Sequence, residues 1–239
     1  MINDIKYAFR MLLKTPGFTF IAVLTLALGI GANSAIFSVV DTVLLRPLSF
    51  PNSDELVMIW GTSARDANAH ETGCFPDFED FRTQSRSFSA MAGFSEAGSV
   101  LTGVGEAKEL RGVAVTGEFF ETLGIPPMLG RGFTAEEAKV GAPNVVVISH
   151  GLWQRAFAGN PGVIGQQVSL ASRPYTILGV LPRGWKFPVQ VESSDFVMPL
   201  APLVASEVPS RGARFLRWIG RLKPGLSVKQ AEAELKPIA

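Results

Sequence analysis

Between Thr15 and Val40 the chain carries no Asp, Glu, Lys or Arg, and the centre of this stretch reads Phe18-Thr-Phe-Ile-Ala-Val-Leu-Thr-Leu-Ala-Leu-Gly-Ile-Gly31. About 20 apolar residues cross about 30 Å of hydrocarbon as a helix, so the run is long enough to span a membrane. It also accounts for a bias in the whole chain: 47 % of 239 residues are hydrophobic and only 18 % are charged, where about 25 % charged is ordinary for a soluble domain. Lys6, Arg10 and Lys14 precede the run against Asp4 alone, and the next basic residue is Arg46. Positive charge stays on the cytoplasmic side, which orients the N-terminus inward and everything beyond Asp41 outward. The expected organisation is a basic amphipathic flank over 1–17, a transmembrane helix over 18–43 and an extracytoplasmic domain over 46–239. A cleaved signal peptide is the competing reading, with Ala32-Asn33-Ser34 as its cleavage site. The run is longer than a signal h-region and continues past that site to Val40.

Ala27, Gly31 and Ala35 recur every four residues along this helix, with Asn33 beside them. Small residues let a second helix approach closely, and an amide in lipid gains from a protein partner. Helix packing through Ala27, Gly31, Asn33 and Ala35 is therefore expected, with frequent Gly and Ala in membrane helices as the plainer explanation.

The remaining residues predict an α+β domain with mixed or antiparallel sheets, divided into two lobes. Leu56–Trp60 has the character of a buried strand, and Pro76 opens a helix through Phe78 and Phe81 to Gln84. Strands are expected at 91–94, 99–102, 109–115, 145–148, 167–170, 175–181, 194–199 and 215–222. Short helices are expected over 118–123, ending at Gly124, after Ser149, and after Ser227. Gly141-Ala-Pro143 and Ser193-Ser194 are the candidate linkers between lobes.

Chemical apparatus is sparse, and no catalytic, cofactor-binding or metal-ligating residue is assigned. The chain has two histidines, His70 and His150, in no HxH or HExxH arrangement, and one cysteine, Cys74, which excludes an intrachain disulfide and a multi-thiolate site. His70 falls in a polar run expected to be a solvated loop, His150 at a helix start, and Cys74 just before a helix, where packing is the expected role. Gly93 to Gly98 fails the G-x-S-x-G spacing, and there is no G-x-x-x-x-G-K-[ST]. Asp77, Glu79 and Asp80 suit the positive end of a helix. Arg211, Arg214, Arg217 and Arg221 alternate with apolar residues as a solvated strand edge would, and a net charge of +1 offers no field for nucleic acid.

Several phrases, taken in order, resemble the MacB-like permeases of ABC transporters. They are Pro16-Gly-Phe-Thr19, Ala27-Leu-Gly-Ile-Gly-Ala-Asn33, Leu44-Leu-Arg-Pro-Leu48, Gly117-Glu-Phe-Phe120, Leu129-Gly-Arg-Gly-Phe133, Val147-Ile-Ser-His-Gly-Leu-Trp153, Gly162-Val-Ile-Gly165 and Ile177-Leu-Gly-Val-Leu-Pro182. The resemblance implies a permease subunit rather than an enzyme, in the bacterial inner membrane, with its main domain in the periplasm. It implies coupling of a cytoplasmic ABC ATPase to movement of that domain, in an efflux or export system. Implied partners are that ATPase, a second permease copy or homologue, membrane lipid, a periplasmic adaptor and an outer-membrane channel. Family permeases carry three further membrane helices, so the chain is expected to be a fragment of a longer product. The alternative is a membrane-anchored binding or scaffold module without transport activity.

Overall fold

A computed structural model describes residues 10–11, 14–40, 50–63, 66–185, 187, 194–201 and 210–238. Two compact units result, Met1–Leu48 and Ser49–Ala239. The first contains helix α1, Pro16–Val40, in which the large apolar side chains face outward on all sides, from Phe18 and Ile21 to Ile36 and Phe37. Two of its hydroxyls bond within the helix: Thr19 Oγ1 donates to Thr15 O at 3.0 Å and Thr25 Oγ1 to Ile21 O at 2.8 Å, the arrangement that suits a polar side chain in hydrocarbon. Arg10 and Lys14 are helical and exposed, whereas Lys6 lies outside the described residues.

The second unit is built on strands β1 (Leu56–Ile59), β2 (Gly61–Ser63), β3 (Asp66–Glu71), β4 (Phe88–Thr102), β5 (Lys108–Val115), β6 (Leu129–Gly130), β7 (Val145–Ile148), β8 (Gln167–Leu170), β9 (Arg173–Val180), β10 (Phe196–Pro199) and β11 (Arg217–Leu222). Helices α2 (Phe75–Gln84), α3 (Phe119–Leu123), α4 (His150–Phe157) and α5 (Val228–Leu235) pack around them. β2 and β3 form a separate antiparallel pair, and the other nine strands make one sheet in the order β1-β11-β4-β5-β10-β7-β9-β6, with β8 joining β4 and β9. β10–β5 and β7–β9 are parallel and the other pairings antiparallel, a mixed sheet. Because β8 bonds both the far end of β4, at Leu101↔Leu170 and Thr102↔Ser169, and the first half of β9, from Arg173 to Thr176, the strands β4, β5, β10, β7, β9 and β8 close into a ring.

Period-two alternation sorts the sheet's side chains into two apolar clusters. Phe88, Leu110, Val146, Ile177, Phe196 and Trp218 share one face with α2, α4 and α5. Phe94, Val113, Val147, Val197 and Ile219 share the other with Phe119 and Leu123 of α3. One mixed sheet thus runs through most of the unit, with the β2–β3 pair apart from it. Gly141–Pro143 is a surface connection into β7, and Ser193 lies outside the described residues.

Helix starts follow the sequence. Cys74 caps α2 through its thiol sulfur, which accepts from Asp77 N at 3.4 Å, and Pro76 occupies the first turn. Ser149 Oγ accepts from Leu152 N at 3.1 Å to cap α4. Ser227 and Gln230 form a reciprocal capping box at α5. Two expectations change. The separate strands at 91–94 and 99–102 are one 15-residue strand, because Glu96, Ala97 and Gly98 stay paired with Val113, Gly112 and Arg111. β1 is a half-buried outer strand rather than a fully buried one, since among the described residues it pairs with β11 alone.

Candidate functional site

In α1 the residues expected to pack against another helix are all exposed, and a Cβ built on Gly31 meets nothing within 4 Å. Close by is a shallow concavity lined by Asn33, Ser34, Phe37 and Ser38. Ala27, Gly31 and Ala35 therefore mark an open strip of helix, with Asn33 near it.

The outer domain holds a groove of about 750 Å³ between β1–β2 and α5. Trp218, Phe81 and Phe88 form its floor; Trp60, Leu235 and Ile238 stand on its sides. The floor is tightly built: the Phe81 and Trp218 rings meet edge to face at 5.1 Å, and the Trp218 indole lies so close on Gly73 that a Cβ there would fall 1.9 Å from its Cζ2. The Trp218 Nε1 donor is buried without a hydrogen-bond partner among the described residues. At the rim His70 stacks on Trp60 with centroids 5.1 Å apart and planes 15° apart. His70 thus belongs to strand β3, not to the solvated loop expected for it.

Charge at this rim is internally balanced. Arg211 bridges Asp77 and Asp80 of α2, at 2.7 Å to Asp80, and Arg214 meets Glu71 at 3.1 Å. The acidic residues of α2 were expected to serve the helix end alone; instead two of them hold a loop arginine 131 and 134 positions away. Arg217 likewise pairs with Glu96 at 2.9 Å and Arg221 with Glu55 at 3.1 Å. The four arginines are consequently fasteners, each to a carboxylate distant in sequence. Elsewhere Cys74 is fully buried, and that burial pushes its thiol pKa up, which leaves it a packed cap rather than a nucleophile. His150 lies edge-on to Trp153 at 5.5 Å, a packing contact at the start of α4. Among the described residues there is no group of three or more His, Cys, Asp or Glu that could hold a metal ion.

Arg221 differs from its neighbours in depth. Its side chain is 13 % exposed and donates to the carbonyls of Pro51, Asn52, Thr122 and Leu123 at 2.9–3.2 Å, besides Glu55 Oε2. Thr122 O and Leu123 O belong to the last turn of α3, where carbonyls have no partner within the helix.

The family model for the MacB-like periplasmic core domain matches residues 19–238, from the first turns of α1 through the end of α5. The chain belongs to this family. Over 125 residues, 52 % of its length, it is 31 % identical to the "Probable export ATP-binding/permease protein MacB" of Pseudomonas entomophila (strain L48), of which the match covers 18 %. The fold resembles the periplasmic region of MacB from Actinobacillus actinomycetemcomitans, with a TM-score of 0.56 and 16 % identity over 77 % of this chain and 81 % of that one. It also resembles the extracellular domain of the noncanonic ABC-type transporter YknZ from Gram-positive bacteria, with a TM-score of 0.55 and 14 % identity over 75 % of this chain and 88 % of that one. The MacB-like assignment and the α+β class expected from sequence agree with these findings: a candidate membrane helix precedes a mixed-sheet periplasmic core domain of an ABC-type permease family.

Sequence reasoning missed the Arg221 cluster and the pairing of Arg211 with α2. An arginine at a register position between the buried Ile219 and Leu222 was the available signal for the first. Nothing local signalled the second, since its partners are joined only by the fold.

Proposed function

We propose that this chain contributes the first membrane helix and the periplasmic core domain of an ABC-type efflux or export permease. The N-terminus is cytoplasmic, and the outer domain moves in response to ATP hydrolysis by a separate cytoplasmic ATPase. The observation that carries this reading is the single family match running from 19 to 238, which takes in the membrane helix and the sheet domain as one continuous segment. The charge asymmetry of Lys6, Arg10 and Lys14 supports the orientation. The open strip at Ala27, Gly31 and Ala35, with Asn33 beside it, supports association with a second permease copy or another membrane helix. A periplasmic adaptor and an outer-membrane channel complete the proposed assembly.

The test is reconstitution of the chain in lipid with an ABC ATPase of a MacB-like system, followed by ATP hydrolysis and by spectroscopic probes on the outer domain. Nucleotide-dependent probe movement is expected; an ATPase that neither binds the membrane chain nor moves the probes would sink the reading. A second reading, an anchored binding module without transport, rests on the groove over Trp218. Ligand retention in that groove, indifferent to any ATPase, would favour it.

A further inference from the structure

β1 and β11 run antiparallel, with rungs from Leu56↔Arg221 to Ile59↔Trp218. The chain arriving from the membrane helix joins this ladder at Leu56, and the chain leaving for α5 departs at Leu222. Both loose ends therefore lie at the same end of the ladder. Tension between them falls on the Leu56↔Arg221 rung first and then on each following rung in turn. A ladder loaded this way opens like a zipper, because one pair at a time bears the load. β1, moreover, has no second neighbour among the described residues to hold it in place.

The side chain of Arg221 sits at that vulnerable end and reaches past the ladder. On the incoming side it grips Pro51 O at 3.1 Å, Asn52 O at 3.2 Å and Glu55 Oε2 at 3.1 Å. On the other side it grips Thr122 O at 2.9 Å and Leu123 O at 3.1 Å. α3 is itself anchored by Phe119 and Leu123, both fully buried. Only a planar guanidinium offers enough donors in fixed directions to serve five acceptors on two segments. Gly124 makes room for it: its φ is +68°, and a Cβ there would stand 3.3 Å from Arg221 Nη2.

We propose that Arg221 is a mechanical latch, fastening the segment that leads into β1 to β11 and α3 together, so that displacement of the helix reaches the sheet as a body instead of peeling β1 from its edge. The proposal rests on the coupling role argued above, but its test does not need the ATPase. The full chain in lipid nanodiscs is compared with Arg221→Gln and Arg221→Lys by hydrogen exchange, and by single-molecule pulling between its two termini. Arg221→Gln is expected to speed exchange over 50–59 and 121–124 about tenfold or more, given charged hydrogen bonds of ordinary strength, while β5, β7 and β9 keep their protection. Arg221→Lys should fall between, and in both variants the first opening event should shift to lower force. Unchanged exchange at 50–59 would overturn the latch. So would acceleration spread evenly over the sheet, or local release with the opening force unmoved. Failure of the ATPase to bind would count against the coupling role while leaving these readings interpretable.

Discussion

In α1, Phe18, Phe20, Ile21 and Leu28 are each more than 60 % exposed, whereas in the outer domain Phe94, Ile177 and Phe196 are completely buried. Both regions are rich in the same residue types, so composition alone does not distinguish them. Periodicity does. Apolar residues on every side of α1 leave no face for water, and the helix must find its apolar surroundings outside the chain, in lipid or in another helix. Alternation along β4, β5 and β7 instead directs side chains to two faces that α2 to α5 cover. One region depends on its surroundings for stability, the other on itself, and substitutions should respect that boundary.

The largest expected effect is in the outer domain. Trp218→Ala removes the floor of the groove and should cost about 3–5 kcal/mol of unfolding free energy, read from the urea midpoint, while helix association in the membrane stays as it was. Gly31→Ile tests the other side: it should weaken helix association in lipid by about 1–2 kcal/mol, measured by energy transfer between labelled copies, with the urea midpoint unmoved. An outer domain destabilised by Gly31→Ile would break the comparison.

A third prediction concerns acid. Arg131 forms two hydrogen bonds to Glu137, at 2.7 and 2.8 Å, and Thr134 N adds another; with Arg131 as the main cause, the Glu137 pKa falls to about 2. A carboxylate with a depressed folded-state pKa stabilises the fold above its unfolded value of 4.5, and that contribution fades as pH drops from there toward about 2. Arg131 is half exposed, so water screens the pair and the amplitude is about 1–2 kcal/mol at most. Glu137→Gln should flatten this part of the stability profile, and a profile parallel to that of the parent would refute the assignment. The smallest effect is expected for Ser149→Ala, which deletes the α4 cap and should cost about 1 kcal/mol, with exchange faster at the start of α4 only.

Much of the fold was legible because it is locally encoded. Ser149, Ser227 and Gly124 each end or begin a helix through their own backbone or side-chain geometry, and Val145–Ile148 could hardly be anything but a buried strand. The single strand through Gly98 was not legible, since its continuity depends on β5 holding register across the glycine. The stack of His70 on Trp60 was hidden for the same reason: it exists only once β2 and β3 pair. The arginines between 211 and 221 were visible as a series, but their partners lie up to 170 positions away, and charge alternation cannot say which carboxylate the fold will supply.

The ring of six strands carries one further consequence. Two of its six junctions are thin: β4 and β8 meet through Leu101↔Leu170 and Thr102↔Ser169, and β10 and β7 through Phe196↔Ile148 and Val197↔Val147, whereas β4 and β5 are in register over eight pairs. The ring is a hoop with two clasps. If the domain changes girth during a working cycle, it will part at one of them, and a hoop opened there becomes a curved sheet that keeps nearly all its other bonds.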